Sequence, residues 1–154
     1  MNGLMMNMQL SIASIVEHAE RINGDVEIVS VMGDKPRHRY TYREAFARTR
    51  KLSDSMALWG LEQGDRIATL AWNDYRHFEI YYAAACSGYV CHTINPRLFP
   101  EQLAYIINHA EDRYVCIDPD FVSLAESLVD QCPAVQGWVI MTSEEDMPET
   151  RLPN

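Results

Sequence analysis

Apolar residues along this chain switch repeatedly between a helical period and a strand period, and that alternation predicts the architecture. Ile12, Ile15, Val16 and Ala19 fall at helical spacing, and Ser11 or Ser14 can cap the helix, which runs to about Ile22. Residues 27–32 and 38–42 read as a hairpin around Gly33-Asp34-Lys35-Pro36, a set of turn formers. Thr41 opens a long helix, because Glu44 three residues later completes a capping box. Its apolar stripe is Ala45, Phe46, Thr49, Leu52, Met56 and Trp59, and Gly60 supplies the left-handed residue that ends it. Gly64-Asp65 then turns the chain into a strand over 66–72.

Three further units repeat this grammar. A helix over 75–87, apolar at Phe78, Tyr81, Tyr82, Ala85 and Cys86, stops at Gly88. A strand over 89–94 leads through Asn95-Pro96-Arg97 to a helix over 100–109 with Pro100 at its first position. A strand over 114–117 precedes a helix over 119–131, with Phe121, Leu124, Ala125 and Leu128 on one face, and a strand over 138–141 closes the series. Strands alternating with helices imply parallel βαβ units. The expected fold is α/β: an open, largely parallel sheet with flanking helices and an N-terminal hairpin. Residues 1–10 read as an arm, 11–142 as the α/β domain, and 143–154 as an acidic linker, an unusual place for a chain to stop.

Composition narrows the function. The 154 residues have the size of one domain, and 47% apolar content excludes a disordered or low-complexity chain. A net charge of −9 argues against a nucleic-acid partner. No segment is apolar enough over a sufficient length to span a membrane. The methionine-rich arm, with Met5, Met6 and Met8, lacks the basic start of a signal peptide and reads as a packing segment. Cys86, Cys91, Cys116 and Cys132 show neither CxxC nor zinc spacing, which favours a reducing, cytosolic compartment.

In an open α/β sheet ligands bind beyond the carboxyl ends of the strands. Three loops lie there: Trp72-Asn73-Asp74, Asn95-Pro96-Arg97 and Asp118-Pro119-Asp120. Asn73 and Asp74 are most simply helix caps, and Asp118 a turn residue. Arg97 differs, since neither a cap nor a turn requires a guanidinium; a surface ion pair and an anion site both remain open. His18 and His109 fall near helix ends, and His92 reads as a packed, neutral strand histidine. Tyr81 and Tyr82 read as core and groove wall. The seven glycines form neither GxGxxG nor GxxxxGK[ST], and no HExxH or GxSxG occurs. No catalytic residue and no metal ligand is assigned.

Several segments nevertheless resemble one family. Tyr40-Thr41-Tyr42-Arg43-Glu44 looks like the first core motif of the adenylate-forming acyl-CoA synthetases, and residues 60–68 look like the segment after their first long helix. Ser87 to Pro96 resembles the second core motif, and Asn95 to Ala110 the fatty-acyl branch. The resemblance implies an acid–thiol ligase: a fatty acid is joined to ATP as an acyl-adenylate with release of pyrophosphate, and the acyl group passes to the thiol of coenzyme A. It implies ATP, Mg2+ and coenzyme A as cofactors of the complete enzyme, none of them held tightly by this fragment. It further implies a homodimer and a cytoplasmic enzyme able to associate peripherally with a membrane. Arg97, with Asn95 shaping its loop, falls on the coenzyme A side. The phosphate loop, the nucleotide motifs and the mobile C-terminal domain are expected beyond Asn154, so the chain reads as an inactive N-terminal subdomain. A self-contained α/β binding module and a dimerisation module are the alternatives.

Overall fold

A computed structural model describes residues 3–33 and 35–153. The helix α1 (Ile12–Asn23) is capped by Ser11, whose side chain accepts the Ser14 amide. Strands β1 (Glu27–Ser30) and β2 (His38–Thr41) form an antiparallel pair, as the hairpin reading expects. Asp34 of its turn lies outside the described residues. Helix α2 (Tyr42–Met56) begins with the anticipated capping box, the Thr41 hydroxyl accepting the Glu44 amide while the Glu44 carboxylate accepts the Thr41 amide. Such a cap contributes about 1 kcal/mol. A short 3-10 turn extends α2, and Gly60 closes it at φ 70°, where a side chain would be strained.

The remaining elements are β3 (Arg66–Leu70), α3 (Tyr75–Cys86), β4 (Val90–Ile94), α4 (Pro100–Ala110), β5 (Asp112–Ile117), α5 (Val122–Leu128) and β6 (Gly137–Ile140). The expected helix over 119–131 is α5 flanked by two 3-10 turns. The four strands form one parallel sheet in the order β4-β3-β5-β6. Alternate side chains of each strand face opposite ways, so the sheet carries a core on both faces. Ala68, Leu70, Ile94, Val115, Ile117 and Trp138 pack on α4 and α5. Ile67 and Cys116 pack on α2 and α3 with Met56, Ile80, Ala83 and Ala84. Each large aliphatic side chain so buried contributes about 1.5–3 kcal/mol.

One face assignment is corrected. Helix α3 buries Glu79, Ile80, Ala83 and Ala84, whereas Tyr81 and Cys86 are exposed. The two alanines let the helix lie close on the sheet. Phe78 and Tyr82 are displaced sideways onto Phe46 of α2, at ring separations of 6.1 and 5.7 Å. Glu79 tolerates burial because Arg48 of α2 meets both its oxygens, at 2.6 and 3.1 Å. Aromatic bulk marks the helix–helix seam here, and the inward face is marked by small residues and one paired carboxylate.

Residues 143–153 have no regular structure, and their far end is held. The Glu126 carboxylate accepts from the Thr150 hydroxyl and the Arg151 amide, and Leu152 is buried in the core under α5. All four cysteines are free thiols. No described helix is long and apolar enough to cross a membrane.

Candidate functional site

The chain passes from β3 through α3 on one face and from β5 through α5 on the other. The carboxyl ends of the adjacent strands β3 and β5 therefore flank the topological switch point, where open α/β sheets form their crevice. Here a buried cluster of charges stands at the crevice. Asp74, the N-cap of α3, accepts the amides of Arg76 and His77 through Oδ1, and Arg76 Nε through Oδ2 at 2.9 Å. Arg76 Nη2 reaches Asp118 Oδ2 at 2.7 Å, and Arg76 Nη1 donates to the Met141 carbonyl at the end of β6. Three strand ends are thus joined by one guanidinium.

Both carboxylates are almost fully buried. Burial pushes the Asp118 carboxyl up from its ordinary value, opposed by Arg76. Burial also works against the Arg76 charge, but the hydrogen bonds and charges of Asp74 and Asp118 outweigh it and hold the guanidinium more firmly protonated. The cap and turn roles expected of Asp74 and Asp118 are both present, since Asp118 Oδ1 accepts the Asp120 amide. Sequence reasoning missed their convergence on Arg76. The only local signal was a cation two residues after a capping aspartate.

A cavity of about 1140 Å³ opens beside this cluster over the β5–β6 half of the sheet. Leu52, Met56, Trp59, Cys116, Val139 and Met141 line it, with Arg48, Glu79 and Asp120 among its polar groups. Among the described residues no three of His, Cys, Asp and Glu gather to hold a metal ion. Asp74, Arg76 and Asp118 line this cavity too, with the Arg76 guanidinium held by the two carboxylates.

Arg97 stands apart from this cluster. It is exposed, makes no ion pair among the described residues, and lies with its guanidinium carbon 6.0 Å from the Trp72 ring centre. Asn95 Oδ1 accepts the Arg97 amide at 3.0 Å, closing the loop on itself. Trp72 is anchored by Nε1–H donation to Asp120 at 2.9 Å and by contact with Phe121 at 4.8 Å. The loops after β3, β4 and β5 therefore meet at Trp72, beneath a cation with donors to spare. His92 is packed in its strand, with Nδ1 against both oxygens of the buried Asp112 at 2.9 and 3.0 Å, a partner that sequence spacing does not reveal. Tyr81 and Tyr82 line a second groove, the wall role expected of them.

Residues 16–154 match the family model described as AMP-binding enzyme. The chain belongs to the AMP-binding enzyme family. Over 153 residues it is 46% identical to the 3-methylmercaptopropionyl-CoA ligase of Ruegeria lacuscaerulensis and 44% identical to the medium-chain-fatty-acid–CoA ligase of Ectopseudomonas oleovorans. Either match covers 99% of this chain and 28% of the relative. Identity to the long-chain-fatty-acid–CoA ligase of Thermus thermophilus is 40%, over 96% of this chain and 27% of that one. This member of the AMP-binding family thus spans little more than a quarter of the length of these ligases. Its fold matches the anthranilate CoA ligase AuaEII in complex with anthranoyl-AMP, with a TM-score of 0.78 at 15% identity over 88% of this chain and 26% of that one. It also matches the N-terminal domain of FACL13 from Mycobacterium tuberculosis, with a TM-score of 0.76 at 18% identity over 95% and 39%.

Proposed function

We propose that this chain is the N-terminal portion of an ATP-dependent fatty acyl-CoA synthetase and is inactive by itself. The observation that supports this reading is near-complete coverage of the chain at 40–46% identity by medium- and long-chain fatty-acid ligases and a related acyl-CoA ligase, each of which is far longer. In the complete enzyme a fatty acid carboxylate attacks ATP to give acyl-adenylate and pyrophosphate, and the coenzyme A thiol then displaces AMP. Transfer of this kind needs cations and backbone N–H groups arranged around the phosphoryl centre. This reading gives the sheet a scaffolding role and leaves Mg2+ and ATP to residues beyond position 154.

Arg97 is proposed to hold a phosphate of coenzyme A, with Asn95 keeping its loop turned. Support comes from an exposed guanidinium without an ion pair among the described residues, stacked over Trp72 at the carboxyl end of the sheet. The enzyme is further proposed to be a cytoplasmic homodimer whose apolar arm can also rest on a membrane surface. The deciding measurement is fatty-acid-dependent exchange of pyrophosphate into ATP. The isolated chain is expected to give none, while the complete enzyme containing it exchanges. Exchange by the isolated chain above a heat-killed control, or a complete enzyme inert towards fatty acids, overturns the reading.

A further inference from the structure

Arg97 and Asp120 carry opposite charges on the loops after β4 and β5, and both are exposed. Among the described residues, however, Arg97 forms no ion pair. The strand order β4-β3-β5 places the loop after β3 between them, and that loop carries Trp72. The Trp72 indole donates Nε1–H to Asp120 Oδ2 at 2.9 Å, while the Arg97 guanidinium carbon lies 6.0 Å from the centre of the same ring. An aromatic ring is positive at its edge and negative over its face, so one indole attracts both neighbours and keeps them apart.

The ring is fixed from the protein side. Phe121 packs on it with ring centres 4.8 Å apart, and Phe121 is itself seated against the core beneath α4 and α5. The Arg97 backbone is fixed as well. Asn95 accepts the Arg97 amide through Oδ1 and the Leu98 amide through its carbonyl, and Leu98 packs on the same core. The side chain of Arg97 is the part left to be steered.

How it is steered matters chemically. An ion pair engages the N–H edge of a guanidinium, as Asp74 and Asp118 engage Arg76 in the same sheet. Contact through the flat face leaves those donors free for a phosphate. We propose that Trp72 is a positioning residue for coenzyme A: its N–H edge occupies Asp120 while its face carries Arg97, so the guanidinium meets the phosphate without a competing carboxylate. The inference rests on the coenzyme A reading of Arg97 given above.

The test uses the complete enzyme and reads the KM for coenzyme A separately from the adenylation half-reaction. Trp72→Phe keeps an aromatic face and deletes the N–H, which releases Asp120 towards Arg97. The KM for coenzyme A should rise about fivefold, the most that one exposed ion pair supplies, with adenylation unchanged. Asp120→Asn retains an acceptor for the indole and should change the KM little in the parent enzyme. Added to Trp72→Phe, the same substitution should bring the KM back to near the parent value, so the coupling between the two positions is the signature. A Trp72→Phe enzyme with an unaltered KM overturns the inference and leaves the Arg97 reading standing. So does an Asp120→Asn substitution that lowers the KM by the same factor in both backgrounds, since that is a general charge effect. An Arg97→Ala enzyme with the parent's KM overturns both readings.

Discussion

Arg76 and Asp118 are 42 residues apart in the chain, yet they meet at 2.7 Å at the switch point of the sheet. Asp74 grips the same guanidinium, so the element that would line a ligand crevice in a simple open sheet is here spent on holding loops together. Replacing Arg76 by alanine leaves two buried carboxylates facing each other without a cation. The variant should lose about 3–5 kcal/mol of stability, the usual cost of stripping one partner from a buried ion pair. Urea unfolding of the two proteins measures it, and a loss below about 1 kcal/mol, typical of an exposed pair, would mean that the cluster is solvated.

Arg48 and Glu79 should respond asymmetrically. Glu79 has 7% of its side chain exposed and Arg48 has 53%, so only one of the two can turn to water when its partner is removed. Arg48→Ala is expected to cost about 3 kcal/mol and Glu79→Ala clearly less. The double variant should be less damaging than the sum, which a thermodynamic cycle reads directly.

Asp112 supplies a pH test. Burial raises its carboxyl above the ordinary value, and the hydrogen bond from His92 only partly offsets this. A carboxyl raised in the folded state favours folding while protonated, and that contribution is lost as pH rises through its folded value. Asp112→Asn keeps an acceptor for His92 and removes the buried charge. The variant should therefore be at least as stable as the parent at pH 7, with the advantage shrinking towards pH 3. Thermal melts across that range decide it; a variant weaker at pH 7 and equal at pH 3 would reverse the sign.

Arg97 is tested in the complete enzyme. Arg97→Ala should raise the KM for coenzyme A about tenfold, as loss of a charge-assisted hydrogen bond does. The adenylation half-reaction and the melting temperature should hardly move. Lower stability with an unchanged KM would assign the residue to loop structure.

Deleting residues 1–10 should weaken self-association, because exposed apolar segments usually mark contacts. Light scattering at high concentration reads the change, and a parent that is monomeric throughout would remove the basis for it.

What the chain declares about itself is mostly local. The Thr41–Glu44 box, the glycine that ends α2 and the alternation of periods are set by residues within a turn of one another, and each is legible without coordinates. The face of α3 was not, because Ala83 and Ala84 bury by being small and Glu79 by having Arg48 across a helix seam. Hydrophobicity alone points instead to Phe78 and Tyr82. At the candidate site Asp74 and Asp118 were readable as cap and turn, but Arg76 draws them together only once the strand order β3-β5 is known. His92 and Asp112 were hidden for the same reason, lying on strands that are not even neighbours.

The burial of Leu152 and the hold of Glu126 on Thr150 and Arg151 bear on how this protein can be dissected. A protease nicking the exposed stretch 143–146 would cut the covalent link but leave the two pieces clasped, so the wound would show on a denaturing gel and escape a sizing column. Trimming the chain back to the end of β6 has the opposite effect, since it empties a filled position beneath α5. The smallest well-behaved version of this unit therefore ends after Leu152 and not at the last strand.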